Sequence, residues 1–158
     1  MTGRTSTRRT AAATTAALMM GAALITGASA APAGAATAAV ACSSLTILSD
    51  PGVVPGPQTA KTATGSTGTA QVRYGTYNGK QYGWARTTDY NYTDLYIKFE
   101  VDTNGDRESD CSYYRAVTSR TYTTAKATHS SSDVAFRACL LFNSGFDCDA
   151  AATKTGWW

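Results

Sequence analysis

No apolar run in this 158-residue chain is long enough to cross a bilayer, and no acidic side chain occurs before Asp50. Histidine is nearly absent, with only His129, and none of the four cysteines is spaced as CxxC, which leaves little from which to build a zinc centre. No internal repeat is evident. The apparent basic surplus is also shallow. Of the 14 Lys and Arg residues, Arg4, Arg8 and Arg9 precede residue 38, which leaves 11 basic against 11 acidic side chains in the rest. A formally neutral remainder gives no electrostatic reason to expect nucleic acid or anionic lipid as a partner.

What the first residues do contain is the pattern of a secretory signal. Arg4, Arg8 and Arg9 form a basic start, and Ala11 to Thr26 is a short run of mostly Ala, Leu, Met and Ile. Small-residue cleavage patterns follow at Ala28-Ser29-Ala30, Ala33-Gly34-Ala35 and Ala36-Thr37-Ala38, placing the cut between residues 30 and 39. The pair Arg8-Arg9 lacks the bulky apolar follower of a twin-arginine signal, so the general secretory route is expected. The expected organisation is a signal over 1–38, an extended segment and tether over 39–69, and one β-domain over 70–158. The product is expected to be secreted and extracellular, with no membrane association after cleavage.

Cys42, Cys111, Cys139 and Cys148 all lie beyond the signal, and an even number in an oxidising compartment implies two disulfides. Four cysteines allow three pairings. Cys139 and Cys148 flank the turn-like Asn143-Ser144-Gly145 and are expected to face each other across a hairpin, which leaves Cys42 to Cys111. The longer link should contribute about 2–5 kcal/mol by closing a large loop. A four-thiolate zinc site is the competing reading.

Pro51, Pro55 and Pro57 forbid a regular helix in the Pro-, Gly-, Thr- and Ala-rich stretch from Ser49 to Thr69, which is read as a tether without secondary structure. The rest reads as strands. Ala70 to Tyr77 and Lys80 to Thr87 flank Asn78-Gly79, a dipeptide suited to a tight hairpin. In Asp94 to Val101, Leu95, Ile97, Phe99 and Val101 alternate with Tyr96, Lys98 and Glu100, so one face is core and the second is expected to be wet. Polar strands are expected over Cys111–Thr118 and Arg120–Ala127. Asp133 to Phe142 suits a strand, with helix as the alternative. The fold class is all-β, a small disulfide-stapled sandwich or partly open barrel with an extended N-terminal segment.

Asp102, Asn104, Asp106 and Asp110 place oxygens at relative positions 1, 3, 5 and 9 of a loop similar to the calcium loops of integrin-type repeats and, more distantly, EF-hands. Arg107 stands where such loops carry glycine, and a plain acidic turn is the alternative. No other cofactor is suggested. His129 lies among Ser130, Ser131, Ser132 and Asp133, but neighbours in one loop do not converge as a triad does. Glu100, Arg115 or Arg137, and His129 match the residue types of small ribonucleases, and Glu100 and Glu108 those of a glycosidase, without any distinguishing spacing. No enzymatic activity is expected.

Tyr74, Tyr77, Tyr82, Trp84, Tyr90, Tyr92 and Tyr96 crowd into one stretch, suiting either a recognition surface or a core short of Leu and Ile. The Ala-rich signal, Thr/Gly-rich tether, Tyr-rich hairpin, the strand Ala135-Phe136-Arg137-Ala138-Cys139 and the end Trp157-Trp158 together resemble the small secreted β-proteins of Streptomyces and related actinobacteria. One class of similar design is the small adaptor subunit of umbrella toxin particles. That resemblance implies a larger secreted protein partner, engaged in part through an extended N-terminal segment.

The expected function is therefore a non-enzymatic protein-binding module. Leu45, Ile47 and Leu48 would dock in extended form, with Tyr82, Trp84 and Tyr96 as a second surface. The alternatives are a hydrolase inhibitor with a disulfide-braced loop and a carbohydrate- or cell-wall-binding module using Tyr82 and Trp84.

Overall fold

The structure is a computed structural model that describes residues 40–158. The signal-like segment and its cleavage sites lie outside the described residues. Nine strands follow in chain order: β1 (Ile47–Leu48), β2 (Gln58–Gly65), β3 (Gly68–Tyr77), β4 (Lys80–Tyr90), β5 (Tyr96–Asp102), β6 (Cys111–Ala116), β7 (Ala125–Ala127), β8 (Ala135–Leu141) and β9 (Thr153–Lys154). They form two antiparallel sheets, one of five strands in the order β1-β7-β4-β3-β2 and one of four in the order β6-β5-β8-β9. Each sheet keeps its own edges, so the all-β fold is a sandwich and not a closed barrel. No helix among the described residues is long and apolar enough to cross a membrane.

The β3–β4 hairpin turns at Asn78-Gly79, where φ is 49° and 76°, and Tyr77 pairs with Lys80 across it. Two successive positive φ angles are what lets a two-residue turn follow the twist of its strands. The expected β8 strand also forms. All seven of its residues are buried, and it lies between β5 and β9. Ile97, Phe99, Val101, Phe136, Ala138 and Leu140 of the four-stranded sheet pack against Ala70, Val72 and Ala85 of the other. Large side chains thus oppose small ones, which fills the gap between the layers. Gly83 carries this furthest, because a Cβ there would lie 2.7 Å from the Phe136 ring.

Three expectations are corrected. The stretch from Ser49 to Thr69 is not a tether. It makes a short 3-10 turn at Pro51–Val53 and then strand β2, paired with β3 from Gln58↔Tyr74 to Gly65↔Gly68. Upstream, β1 pairs with β7, so the N-terminal segment is an integral part of the five-stranded sheet. The strand expected over Arg120–Ala127 shrinks to β7, preceded by a single bridge between Arg86 and Tyr122. The polar face of β5 is not wet either, since Lys98 and Glu100 are 3% and 0% exposed. The segment after β8 folds back over that face.

Both expected disulfides form, Cys42 with Cys111 and Cys139 with Cys148. The second does not span a hairpin. Cys139 pairs in register with Lys154 of β9, while Cys148 opens a 3-10 turn at Cys148–Ala150 that packs against β8. The intervening loop turns at Asn143, whose side-chain oxygen accepts from the Gly145 N–H at 2.9 Å.

Candidate binding surfaces

The aromatic residues divide between interior and surface in a way their crowding did not reveal. Tyr82 and Trp84, expected at a recognition surface, are buried with Val54 and Ala125 beneath Leu48, Tyr77 and Tyr122. They lie on the outer face of β4, and the N-terminal segment closes over them. Leu45 is also buried, within the main core. Of the six residues expected to meet a partner, Ile47 is 52% exposed, and Leu48 and Tyr96 are half-buried.

Tyr96 belongs to a different group. Register places it opposite Leu141 on one side and Ala116 on the other, so the start of β5 and the ends of β6 and β8 meet at one end of the four-stranded sheet. Tyr96 packs edge-on against Tyr114, with ring centroids 5.9 Å apart, and Tyr92 packs edge-on against Phe142 at 5.3 Å. Phe146 is held nearby, because its carbonyl accepts from Lys98 Nζ at 2.7 Å and Lys98 lies opposite Tyr114. Tyr92, Tyr114, Phe142 and Phe146 are four of the six large hydrophobic residues exposed among the described residues. Tyr92 and Tyr96 were visible as part of a Tyr-rich stretch. The others come from elements that carry no such signal in sequence.

Beneath the loop from Phe142 to Ala152 lies a buried ionic network. Glu100 accepts from Arg137 Nε and from the Cys148 N–H, and Lys98 Nζ stands 3.7 Å from it. Arg137 also forks onto Asp149 at 2.8 and 3.1 Å, and its guanidinium stacks 4.4 Å from the Trp157 ring centroid. Burial works against the Arg137 charge, but Asp149 and Glu100 together hold its pKa above the ordinary range. With both oxygens engaged and no solvent access, Glu100 is placed as a structural anchor for the loop.

The acidic loop is satisfied from within. Asp102 accepts from the N–H groups of Asn104, Gly105 and Arg107 and from Arg107 Nη1 at 2.8 Å. Burial raises its pKa, and these four hydrogen bonds outweigh that and hold it below the ordinary value of 3.8. Asp106 accepts from the Glu108 N–H, Asn104 accepts from the Asp106 N–H, and Asp110 takes both Thr103 donors. Arg107 adopts the positive φ of the turn itself, at 66°, and its guanidinium pairs with Asp102. Among the described residues no three His, Cys, Asp or Glu side chains are grouped to hold a metal ion.

His129 lines a groove with Gln81, Thr128, Val134, Phe136 and Trp158. Its Nδ1 accepts from the Ser131 N–H, and Ser131 Oγ donates instead to Asp133. Among the described residues no serine hydroxyl donates to the imidazole, and neither Glu100 nor Glu108 lines the groove. Glu100 instead pairs with Arg137, and Glu108 lines a separate cleft with Arg137, Asp147 and Asp149, which His129 does not line.

A second cleft, of about 260 Å³, opens on the outer face of the five-stranded sheet between Pro51, Pro57, Trp84, Arg86, Thr121 and Tyr122. Tyr122 donates to Asp50 at 3.0 Å, and Arg120 lies both over the Tyr122 ring and 3.7 Å from Asp50. Asp50 also accepts from the Gly52 N–H. This backbone hydrogen bond is the largest cause lowering its pKa, followed by the one from Tyr122.

Compared with known protein families, curated proteins and solved structures, the chain matches none.

Proposed function

We propose that this chain is a secreted, non-enzymatic protein-interaction module, an adaptor that docks on a larger secreted protein as a toxin-complex subunit would. The observation that carries this reading is the aromatic end of the four-stranded sheet, where Tyr92, Tyr114, Phe142 and Phe146 stand half exposed around Tyr96. Rigid aromatic side chains desolvate large areas at small entropic cost and are enriched where proteins bind proteins. The rings meet at 61° and 79° and so form a ridged surface. A sugar ring stacks best on a flat one, which favours a protein partner over a glycan.

The test is affinity purification of the tagged protein from its producer's culture supernatant, beside a Tyr92→Ser/Phe142→Ser variant of unchanged Tm. A large secreted protein recovered at near-stoichiometric yield with the parent and lost with the variant is the expected result. A lone monomer from the parent, or a partner retained by the variant, overturns the reading.

The same loop supports a second reading, that of a hydrolase inhibitor. Phe142 and Phe146 stand out from a loop closed by the Cys139–Cys148 disulfide and anchored by Lys98 to the Phe146 carbonyl, the kind of braced projection that can fill and block an enzyme's specificity pocket. Inhibition across a panel of secreted proteases and glycosidases, abolished by Phe146→Ser, would separate this reading from the adaptor.

A further inference from the structure

The cleft beside Trp84 carries an electrostatic imbalance. Arg86 lines it and has neither an ion pair nor a hydrogen-bond partner among the described residues. Arg73 lies on the same face, since register pairs it with Trp84 while Arg86 pairs with Gln71. Arg73 donates to the Pro57 carbonyl at 2.7 Å and to Thr59, yet its Nε is buried with no acceptor. Burial first, and then the nearby Arg86 charge, lower the Arg73 pKa. Among the described residues no carboxylate lines the cleft, and the neighbouring Asp50 is already matched by Arg120. Two guanidiniums thus share one face without a counter-charge, next to a cleft walled by two prolines, a tyrosine and a tryptophan.

We propose that this cleft binds a carboxylate group, held by the Arg86 fork, with its apolar carbon skeleton against Pro57 and Tyr122 and above the buried Trp84. A guanidinium offers two parallel N–H donors that match the two oxygens of a carboxylate, a geometry an ammonium cannot reproduce. The volume is below that of a drug-sized pocket and suits the end of a molecule or one ring. Both a free aromatic acid and the C-terminus of a peptide present this chemistry. The site lies on the opposite sheet from the aromatic surface and does not depend on the adaptor reading.

The experiment titrates benzoate, N-acetylphenylalanine and inorganic phosphate into the full-length secreted protein, following the Trp84 indole N–H by NMR. Saturable shifts with benzoate or N-acetylphenylalanine are expected. The tighter of the two identifies the source as a free acid or a chain end. Arg86→Gln should weaken binding by about tenfold or more, Arg86→Lys by less, and Arg115→Gln, remote from the cleft, should leave it unchanged. Flat titrations, tighter binding of phosphate than of either carboxylate, or full affinity in both Arg86 variants overturns the proposal.

Discussion

Glu100 shows what a buried charge commits a small domain to. Its two oxygens satisfy Arg137 Nε and the Cys148 N–H, so truncating it leaves both donors without an acceptor away from water, although Asp149 still holds the rest of the guanidinium. Glu100→Ala should lower the stability to urea by about 3–5 kcal/mol, whereas Glu100→Leu combined with Arg137→Met should lose much less, since an apolar pair of similar volume needs no partner. Asp102 adds a pH dependence of definite sign. Its pKa is held below 3.8 in the fold, so its stabilisation is complete above that value and is lost as pH falls through the depressed one. In acid unfolding below about pH 5, the stability gap between the parent and Asp102→Asn should therefore close as the pH falls. A gap independent of pH would refute that role. Alternation in Asp94–Val101 correctly identified the apolar face, but a period of two says nothing about what covers the other face. Lys98 and Glu100 were read as wet for that reason, and their cover comes from a loop more than 40 residues downstream.

Among the elements, the legible ones were those with their own local code. The Asn78-Gly79 turn, β5 and β8 form where alternation and turn residues place them. Strand β2 was illegible because it is an edge strand of small polar residues whose side chains are mostly exposed on both faces, so it has no apolar face to announce. Its pairing comes from β3, not from its own composition. Lys61 and the bulge between Thr59 and Lys61 interrupt this edge, features that discourage another chain from adding to it. The cysteine pairing was legible from spacing, although the hairpin invoked for Cys139 and Cys148 was not what joins them. The Cys42–Cys111 link ties the start of the N-terminal segment to β6 of the other sheet across 69 residues. Replacing both cysteines with alanine should cost about 4 kcal/mol by denaturant titration, more than the about 3 kcal/mol expected for the much shorter Cys139–Cys148 loop. An equal or reversed order would mean that strain or packing, rather than loop closure, governs both links.

For the molecule as a whole, the sandwich is covered twice by its own chain. The segment before β2 lies over the outer face of the five-stranded sheet, and the loop after β8 lies over that of the four-stranded sheet. Local sequence patterns cannot show this, because such coverage joins residues far apart in the chain. It is why Tyr82 and Trp84 were expected outside and are found inside, and why the candidate surface moved to the sheet end around Tyr96. The two candidate surfaces are on different sheets and share no residue. Tyr92→Ser/Phe142→Ser should thus leave carboxylate titration at the Arg86 cleft unaltered, and Arg86→Gln should leave partner recovery unaltered.

The lid over Tyr82 and Trp84 also imposes an order of assembly. Strand β1 pairs with β7, Ile47 against Lys126, so the earlier segment must wait for one made much later before it can settle. Meanwhile the local β3–β4 hairpin is free to form and presents its aromatic outer face to water. A newly emerging chain would therefore carry a bare, adhesive surface from the completion of β4 until β7 has emerged, and that interval is when a holding chaperone would have most to grip.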